Sequence, residues 1–400
     1  MNGMKPFHFN GDIPASKSIL NRLLIIQSHF PELRITGDSK ADDVMKMKNA
    51  LAQLDRGEPA DCGAAGTTLR FVALRASRIP GTHHLSGTLR LFERPHEEIA
   101  RVLKQLGCEL EFGRQRMTIR GNGWTQPEGD LVVDRSLSSQ FASAVLLNAW
   151  NLPFDLRMQM SGEHLSESYF RMTTEILGSL GMALKIDEST AVVTKNSVLK
   201  RTEWKAESDL SSAFAVASVA IASGGSAEFS EWPDASLQPD AVFVSILRQM
   251  GCSVETGGGR LRLSAPANGL SAVDCNLREC PDLFPVLSVL CAVADGRSKL
   301  HGAPQLVHKE SNRLKKTSEL IALMGRKFKV LSDGLEIEGM NQRPLTTSEV
   351  SYDTDHDHRL AMAGAVARAA GFPIRLSETK VVTKSFPEFW DIVDRLPEVR

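Results

Sequence analysis

Six basic residues lie far apart in this 400-residue chain yet share a local setting. Each stands beside a Ser, Glu, Asp or Pro at the edge of an apolar helical or strand pattern: Lys17, Arg22, Arg94, Arg313, Arg359 and Lys384. The chain as a whole has a formal net charge of only −1. Because a guanidinium can grip a phosphate or a carboxylate with two hydrogen bonds, we expect these residues to converge on a small ligand, or two ligands, carrying several negative charges.

The segment SKSILNRLL has the features of an anion-binding helix start. Ser16 is expected to cap the helix, and Lys17 falls in its first turn. Ser18 and Arg22 are four residues apart and therefore share one helix face. The free N–H groups of a helix N-terminus add to such an anion site. For this segment alone, an ordinary capped helix with solvated charges is the alternative interpretation.

Three further segments carry candidate residues. The turn in GAAGTTLRF places Gly66 where the backbone can approach a ligand closely. Taken alone, this segment is better interpreted as a plain tight turn. In HKESNRL, the spacing of Lys309, Glu310 and Arg313 predicts adjacent positions on one helix face. A salt-bridged surface helix would show the same spacing. Asp282 precedes an apolar helix. Its carboxylate can either cap that helix or act in catalysis.

Composition excludes several classes of protein. Apolar residues make up 42% and charged residues 24%, which is ordinary for a globular chain of two or more domains. A sequence pI near 6.8 argues against a nucleic-acid surface. Neither a long apolar run nor a signal-peptide core is visible, so we expect neither membrane insertion nor export. The six scattered cysteines, with no CxxC pair, indicate reduced thiols in a cytoplasmic protein.

An internal repeat organises the chain. Four amphipathic helices are each followed by a glycine and then by alternating apolar residues, at Gly107, Gly181, Gly251 and Gly325. The separations are 74 (107 to 181), 70 (181 to 251) and 74 (251 to 325). Glycine suits the left-handed residue that closes a helix, and the alternation predicts a strand. We interpret the chain as six strand–helix–strand–helix–strand–strand units, three in each domain.

Eight motifs, taken together and in order, carry a family resemblance: SKSxxNR, GxAGT, ERP, SSQF, PD, KExxR, DHR and TKSFPEF. They resemble the 5-enolpyruvylshikimate-3-phosphate synthase (3-phosphoshikimate 1-carboxyvinyltransferase) family over nearly the whole chain. The resemblance implies an α/β (α+β) fold of two similar domains, each of three βαβαββ units, the inside-out barrel of enolpyruvyl transferases. The implied bounds are 15–207 for one domain and 1–14 with 208–400 for the other. The active site is expected in the cleft between them.

The implied reaction moves the enolpyruvyl group of phosphoenolpyruvate to the 5-hydroxyl of shikimate 3-phosphate and releases phosphate through a tetrahedral intermediate. By resemblance, shikimate 3-phosphate would be bound by Lys17, Ser18, Arg22, Ser138, Ser139, Gln140, Ser166, Asp282, Gln305 and Lys309. Phosphoenolpyruvate would be bound by Lys17, Gly66, Arg94, Gln140, Arg313, Arg359 and Lys384. Asp282, Glu310 and Lys17 would be catalytic. A cytoplasmic monomer without metal or other cofactor, inhibited by glyphosate, is expected.

Three positions depart from the family pattern. Ala64 stands where the turn usually carries asparagine, Phe71 where proline is common, and Gln305 where an asparagine usually contacts the shikimate ligand. None of these changes removes a charge or a proton carrier. They therefore bear on substrate affinity and inhibitor response more than on the reaction itself.

Three other interpretations are open. UDP-N-acetylglucosamine enolpyruvyl transferases carry a reactive cysteine shortly before the RP dipeptide, but Leu89 occupies that stretch here, and no cysteine falls between Cys62 and Cys108. Their first motif also lacks the arginine matched by Arg22. RNA 3′-phosphate cyclases need a catalytic histidine near the C-terminus. The KExxR and DHR motifs and the neutral pI argue against membership of that class. A non-catalytic ligand-binding paralogue would lack its acids, whereas Asp282 and Glu310 are both present.

Overall fold

The computed structural model describes residues 5–162, 166–340 and 348–393, and the chain divides into two units. We call Ser16–Ala206 the continuous unit, and Met1–Ala15 with Glu207–Arg400 the split unit. Each bound lies one residue from the domain bounds predicted from the sequence, 15–207 and 1–14 with 208–400. Parts of both predicted domains, residues 163–165 in the first and 1–4, 341–347 and 394–400 in the second, lie outside the described residues.

The described residues form thirteen α-helices and twenty β-strands. The helices are α1 (Lys17–His29), α2 (Asp42–Asp55), α3 (Gly66–Ala76), α4 (Leu89–Phe92), α5 (Glu97–Gln105), α6 (Gln140–Leu147), α7 (Glu167–Leu180), α8 (Leu210–Ala222), α9 (Phe243–Gln249), α10 (Phe284–Val293), α11 (Arg313–Leu323), α12 (His358–Ala369) and α13 (Phe389–Val393). The strands are β1 (His8–Gly11), β2 (Arg34–Thr36), β3 (Ala60–Asp61), β4 (Gly81–Ser86), β5 (Glu109–Phe112), β6 (Arg116–Gly121), β7 (Leu131–Asp134), β8 (Leu156–Ser161), β9 (Leu184–Ile186), β10 (Thr190–Val193), β11 (Glu203–Lys205), β12 (Ser226–Phe229), β13 (Ser253–Gly257), β14 (Arg260–Ser264), β15 (Asp274–Asn276), β16 (Gly296–His301), β17 (Lys327–Val330), β18 (Leu335–Gly339), β19 (Val350–Tyr352) and β20 (Ile374–Leu376).

Four sheets repeat one topology. The continuous unit holds β3-β4-β6-β5 and β7-β8-β10-β9, and the split unit holds β1-β12-β14-β13 and β15-β16-β18-β17. In each sheet the first two strands run parallel and the remaining neighbours antiparallel. This is the predicted βαβαββ order, because a parallel pair needs a crossover helix and a hairpin does not. The two remaining sheets, β2-β11 and β19-β20, are parallel pairs.

The four repeated glycines close helices as predicted. Gly107, Gly181, Gly251 and Gly325 have φ of 78°, 105°, 92° and 68° and follow α5, α7, α9 and α11. A side chain is disfavoured at such positive φ, so glycine ends the helix and turns the chain into the antiparallel strands.

Small-residue helices form the centre of each unit. Every residue of α8 except Ala222 is buried, and α8, α10 and α12 pack on one another in the split unit. In the continuous unit, α6 packs against α3 and α7 and is buried from Phe141 to Leu147. A helix that is apolar on nearly all sides belongs in the interior, so α8 and α6 each lie in the core of their unit.

The cysteines are part of these interiors. All six, Cys62, Cys108, Cys252, Cys275, Cys280 and Cys291, are buried free thiols. Burial raises the pKa of each of them, and they act as small core residues. Over residues 5–162, 166–340 and 348–393, no helix combines the length and apolarity that crossing a bilayer requires.

Candidate active site

In the continuous unit, α1 begins at Lys17, whose ammonium forms an ion pair with Asp43 on α2. The distance from Lys17 Nζ to Asp43 Oδ2 is 2.9 Å, and the two side chains are only 12% and 10% exposed. Ser16 stands at the predicted N-cap position, but its side chain makes no capping hydrogen bond. Its hydroxyl is buried and has no hydrogen-bond partner among the described residues. Asp43, rather than a capping serine, therefore organises the start of the site.

Arg22 is a buried cation held by neutral groups. Its Nε donates to Thr173 Oγ1 at 2.8 Å, its Nη1 to the Ser18 carbonyl at 2.7 Å and its Nη2 to the Tyr169 carbonyl at 3.0 Å. Burial lowers the pKa of Arg22 to about 10. The Phe71 ring lies 5.7 Å from the guanidinium carbon, so this departure from the family pattern supplies a packing surface for Arg22. No acidic side chain of the described chain forms an ion pair with it.

Gly66 and Arg94 adjoin each other at the start of α3. A Cβ placed on Gly66 would lie 2.4 Å from Arg94 Nη1 and 3.1 Å from its Cζ. Arg94 Nε is buried and, among the described residues, has neither a hydrogen-bond partner nor an acidic neighbour within ion-pair distance. The sequence predicted close approach of the Gly66 backbone to a ligand, and the structure places a guanidinium beside it.

The start of α6 presents polar side chains. Ser139 is buried at the N-cap position, and Ser138 Oγ accepts from the Gln140 backbone N–H at 3.2 Å. The Gln140 side chain accepts from Arg70 Nη1 at 2.7 Å and donates to Thr67 Oγ1 at 3.1 Å, both on α3. The side-chain amide is therefore held in one orientation.

Ser166 has a left-handed backbone, with φ of 56° and ψ of 43°, directly before α7. Such a conformation costs a non-glycine residue about 1 kcal/mol or more. The residue is also 9% exposed. Its hydroxyl therefore stands at a specific, costly position at the N-terminus of α7.

The split unit gathers three carboxylates around Arg313, the first residue of α11. Arg313 Nε donates to Asp357 Oδ2 at 2.8 Å, Nη1 to Asp282 Oδ1 at 2.7 Å, and Nη2 to Glu310 Oε2 at 3.0 Å and Asp357 Oδ1 at 3.3 Å. Burial disfavours the charged form, but the three acids outweigh burial and raise the pKa of Arg313 well above its ordinary value. Four of its five N–H donors are thus engaged.

Asp282 is the junction between this cluster and two more cations. Lys309 Nζ lies 3.5 Å from Oδ1, and Arg359 Nη2 lies 3.5 Å from Oδ2. Burial opposes its ionisation, yet Lys309, Arg313 and Arg359 together hold the pKa of Asp282 well below its usual range. About a fifth of the side chain (22%) stays exposed. Asp282 is therefore an accessible carboxylate, ionised at neutral pH.

One prediction for this region is wrong. Lys309 and Glu310 do not lie on the helix of Arg313, because Asn312 caps α11 by accepting from the Lys315 N–H at 3.0 Å, so that the helix begins at Arg313. Both lie in the connection between α11 and a 3-10 helix at Pro304–His308. The Glu310–Arg313 contact forms nonetheless.

The remaining predicted residues lie on separate elements. Gln305 is buried in the 3-10 helix Pro304–His308 and donates from Nε2 to the Arg278 carbonyl at 3.2 Å. Lys384 ends a 3-10 helix at Lys380–Lys384. Of the seven predicted residues in the split unit, the described contacts join five: Asp282, Lys309, Glu310, Arg313 and Arg359.

Several polar residues around the predicted site residues were missed by sequence reasoning. They are Asp43 beside Lys17, Arg70 beside Gln140, Thr173 beside Arg22, Asp357 beside Arg313 and the buried Asp240. Burial, together with the charge of Asp282, raises the pKa of Asp240 to about 6. Asp357 and Arg70 stand inside two of the quoted motifs, whereas the other three carry no local signal. No group of three or more His, Cys, Asp or Glu side chains in the described ranges could hold a metal ion.

Comparison with known proteins gives one family. The model of the EPSP synthase (3-phosphoshikimate 1-carboxyvinyltransferase) family matches residues 12–393. A protein named 3-phosphoshikimate 1-carboxyvinyltransferase from Syntrophobacter fumaroxidans is 30% identical over 411 residues, covering 96% of each chain. A protein of the same name from Thermococcus kodakarensis is 32% identical over 410 residues, again with 96% of each chain covered.

Solved structures show the same fold. The EPSP synthase of Acinetobacter baumannii has a TM-score of 0.75 at 21% identity and covers 98% of this chain and 96% of its own. The enolpyruvyl transferase NikO of Streptomyces tendae has a TM-score of 0.71 at 14% identity, with the same coverage. The predicted fold class is confirmed.

Proposed function

Because this chain belongs to the EPSP synthase family, it is an enolpyruvyl transferase, and we propose that it transfers the enolpyruvyl group of phosphoenolpyruvate to the 5-hydroxyl of shikimate 3-phosphate. Inorganic phosphate is the second product. The proposal includes action in the cytoplasm as a monomer without a metal ion.

The observation that carries the proposal is the pair of arginines in the continuous unit. Arg22 is buried, Arg94 is half-buried, and neither has an acidic partner among the described residues. A buried cation is costly unless an anion compensates it. A ligand with phosphate and carboxylate groups supplies that compensation, and both proposed substrates carry both groups.

We assign shikimate 3-phosphate to Lys17, Ser18, Arg22, Ser138, Ser139, Gln140, Ser166, Asp282, Gln305 and Lys309, and phosphoenolpyruvate to Lys17, Gly66, Arg94, Gln140, Arg313, Arg359 and Lys384. The start of α6 supports the first assignment, because its hydroxyls and free backbone N–H groups suit a phosphate. For Arg313, only one Nη1–H remains for a ligand. Its main contribution in the proposal is to hold Asp282 and Glu310 in place.

The proposed chemistry needs two proton transfers. The 5-hydroxyl loses a proton as its oxygen attacks C2 of phosphoenolpyruvate, while C3 gains one. Asp282, which its cations keep ionised, accepts the hydroxyl proton. Glu310 must carry a proton in the complex with both substrates, and it delivers that proton to C3. In the second step the tetrahedral intermediate loses a C3 proton back to Glu310 and expels phosphate. Lys17 and the arginines stabilise the charge that develops on the leaving phosphate.

A phosphate-release assay tests the proposal. The purified chain should release phosphate only when both shikimate 3-phosphate and phosphoenolpyruvate are present, and prior treatment with EDTA should not change the rate. Phosphate release with UDP-N-acetylglucosamine in place of shikimate 3-phosphate would instead identify a UDP-N-acetylglucosamine enolpyruvyl transferase. No release with either acceptor, despite binding of shikimate 3-phosphate, would establish the non-catalytic paralogue instead.

A further inference from the structure

The three small-residue helices of the split unit end around one cavity. Its volume is about 430 Å³, within the range of about 300–1,000 Å³ typical of small-molecule sites. The lining comes from residues 221–224 at the end of α8, Val293 at the end of α10, Ala370 directly after α12, and residues 265–267 and 269–270 after β14. Ile221 and Leu270 are buried and give the cavity an apolar floor, whereas Ala267 is exposed at its mouth.

The helix C-termini favour a positive charge in this cavity. The last four carbonyls of an α-helix have no partner within the helix, and such an end carries about half a negative charge. Three of these ends meet at the cavity, and its lining, taken over the described residues, includes no charged side chain. A cation in the cavity would therefore meet several partial negative charges at once.

The continuous unit shows which cation suits such an arrangement. There α1, α3 and α6 pack on one another, and two arginines at the end of α3 join the ends of the other two helices. Arg75 Nη2 donates to the Ser28 carbonyl in the last turn of α1 at 3.0 Å. Arg78 Nη1 donates to the carbonyls of Asn148 and Trp150, just after α6. Burial lowers the pKa of both arginines, yet helix-end carbonyls hold them in place.

The split unit has different residues at the matching positions. In chain order α10 is the second of its three central helices, as α3 is of its own. Arg75 is the last residue but one of α3, and Ala292 has that place in α10. Arg78 is the second residue after α3, and Asp295 is the second after α10. Asp295 is exposed and adjoins the cavity, because its N–H donates to the carbonyl of the lining residue Leu270 at 2.7 Å. An acid thus stands where the continuous unit carries a guanidinium.

We propose that the cavity at the ends of α8, α10 and α12 binds a small molecule that carries an alkylguanidinium group. A guanidinium has five N–H donors in one plane, enough to meet carbonyls from more than one helix end. The alkyl chain suits the apolar floor, and Asp295 adds negative charge at the edge. The inference does not depend on the proposed function, because Asp282 and Arg359 lie at the opposite ends of α10 and α12.

Saturation-transfer NMR with two matched ligands tests the proposal. Butylguanidinium should bind the native chain with a dissociation constant on the order of 1 mM, as expected for a ligand of so few atoms. Butylurea has the same shape without the charge, and it should bind at least about tenfold more weakly. Equal binding of the two ligands would assign the cavity to neutral molecules and overturn the proposal. Binding of neither ligand would overturn it as well.

Two substitutions test whether the ligand binds in this cavity. Asp295→Arg places a guanidinium within the chain at the position that matches Arg78, and it should abolish binding of butylguanidinium. Ala267→Trp fills the mouth from an exposed position and should abolish binding too, with the unfolding temperature close to the native value. Unchanged binding in either variant would place the ligand elsewhere and overturn the proposal.

Asp234→Arg is the matched control for the change of charge. Asp234 is also exposed, and it follows β12, whereas residues 221–224 of the cavity precede that strand. Its affinity for butylguanidinium should equal that of the native chain. A loss as large as that in Asp295→Arg would show a general effect of net charge and would contradict a site at the helix ends.

Discussion

The contact between Gly66 and Arg94 predicts how one added methyl group changes the enzyme. In Gly66→Ala the new Cβ would lie 2.4 Å from Arg94 Nη1. Non-bonded heavy atoms settle near 3.5 Å, so the guanidinium must withdraw by about 1 Å. What yields is the end of a flexible side chain, not the backbone, so the fold should tolerate the change.

The displaced group is one proposed to bind phosphoenolpyruvate. A shift of about 1 Å can cost about 100-fold in productive geometry, and we expect KM for phosphoenolpyruvate to rise about 10- to 100-fold, equivalent to about 1.4 to 2.8 kcal/mol. Glyphosate, which is slightly longer, meets both the methyl group and the displaced guanidinium. Its inhibition constant should therefore rise at least as much, and inhibition of the native enzyme should be competitive with phosphoenolpyruvate.

Steady-state phosphate release at varied phosphoenolpyruvate and glyphosate measures both constants. Gly178→Ala is the control, because this exposed glycine lies inside α7 and a Cβ on it would meet no atom within 4 Å. KM and the inhibition constant should be unchanged there. If Gly66→Ala keeps both values within twofold of the native enzyme, the space between Gly66 and Arg94 is not part of the phosphoenolpyruvate site. If the native enzyme resists millimolar glyphosate, Gly66 does not decide sensitivity.

Four other substitutions give three further predictions. Asp282→Asn and Glu310→Gln should each lower kcat about 100-fold or more in the phosphate-release assay, because each removes a group that we propose to carry a proton. Near-normal turnover would leave that residue a packing role only. Thr173→Val removes the 2.8 Å acceptor of Arg22 Nε and should weaken calorimetric binding of shikimate 3-phosphate about tenfold, roughly the worth of one charged hydrogen bond. Burial and Asp282 raise the pKa of Asp240 from 3.8 to about 6, so the folded chain holds that proton more tightly. The free energy of unfolding of the native protein should therefore fall by on the order of 3 kcal/mol, relative to that of Asp240→Asn, as the pH rises from about 4 to above 6. Urea unfolding at pH 4.5 and 7.5 measures the difference in this free energy between the two proteins. A difference that does not change with pH would contradict the prediction.

Local patterns predicted the repeated architecture because its signals are local. The pattern of a helix end, a glycine and an alternating strand spans only about twelve residues. Gly107 and Gly181 both have the positive φ that the pattern requires. Helix starts were less predictable. Because Asn312 caps α11, the helix begins at Arg313, four residues later than a helix that includes Lys309 would begin, since side-chain capping competes with periodicity.

The partners of the site residues could not be predicted, because they come from distant parts of the chain. Asp43 is 26 residues from Lys17, and Asp357 is 44 residues from Arg313. Nothing in the periodicity of either segment specifies which acid meets which base. The motifs predicted the basic residues and two of the acidic residues. Which of these charges pair with one another could be seen only in the tertiary structure.

The parallel pairing of β1 with β12 has a consequence for the order in which the chain folds during synthesis. His8 pairs with Ser226, so β1 leaves the ribosome 218 residues ahead of the strand with which it pairs. At about 5–20 residues per second, that delay is roughly 10 to 40 seconds. The continuous unit, Ser16–Ala206, is complete before the wait ends. We therefore expect it to fold first, with the amino-terminal strand tethered and unpaired beside it until the split unit closes around that strand.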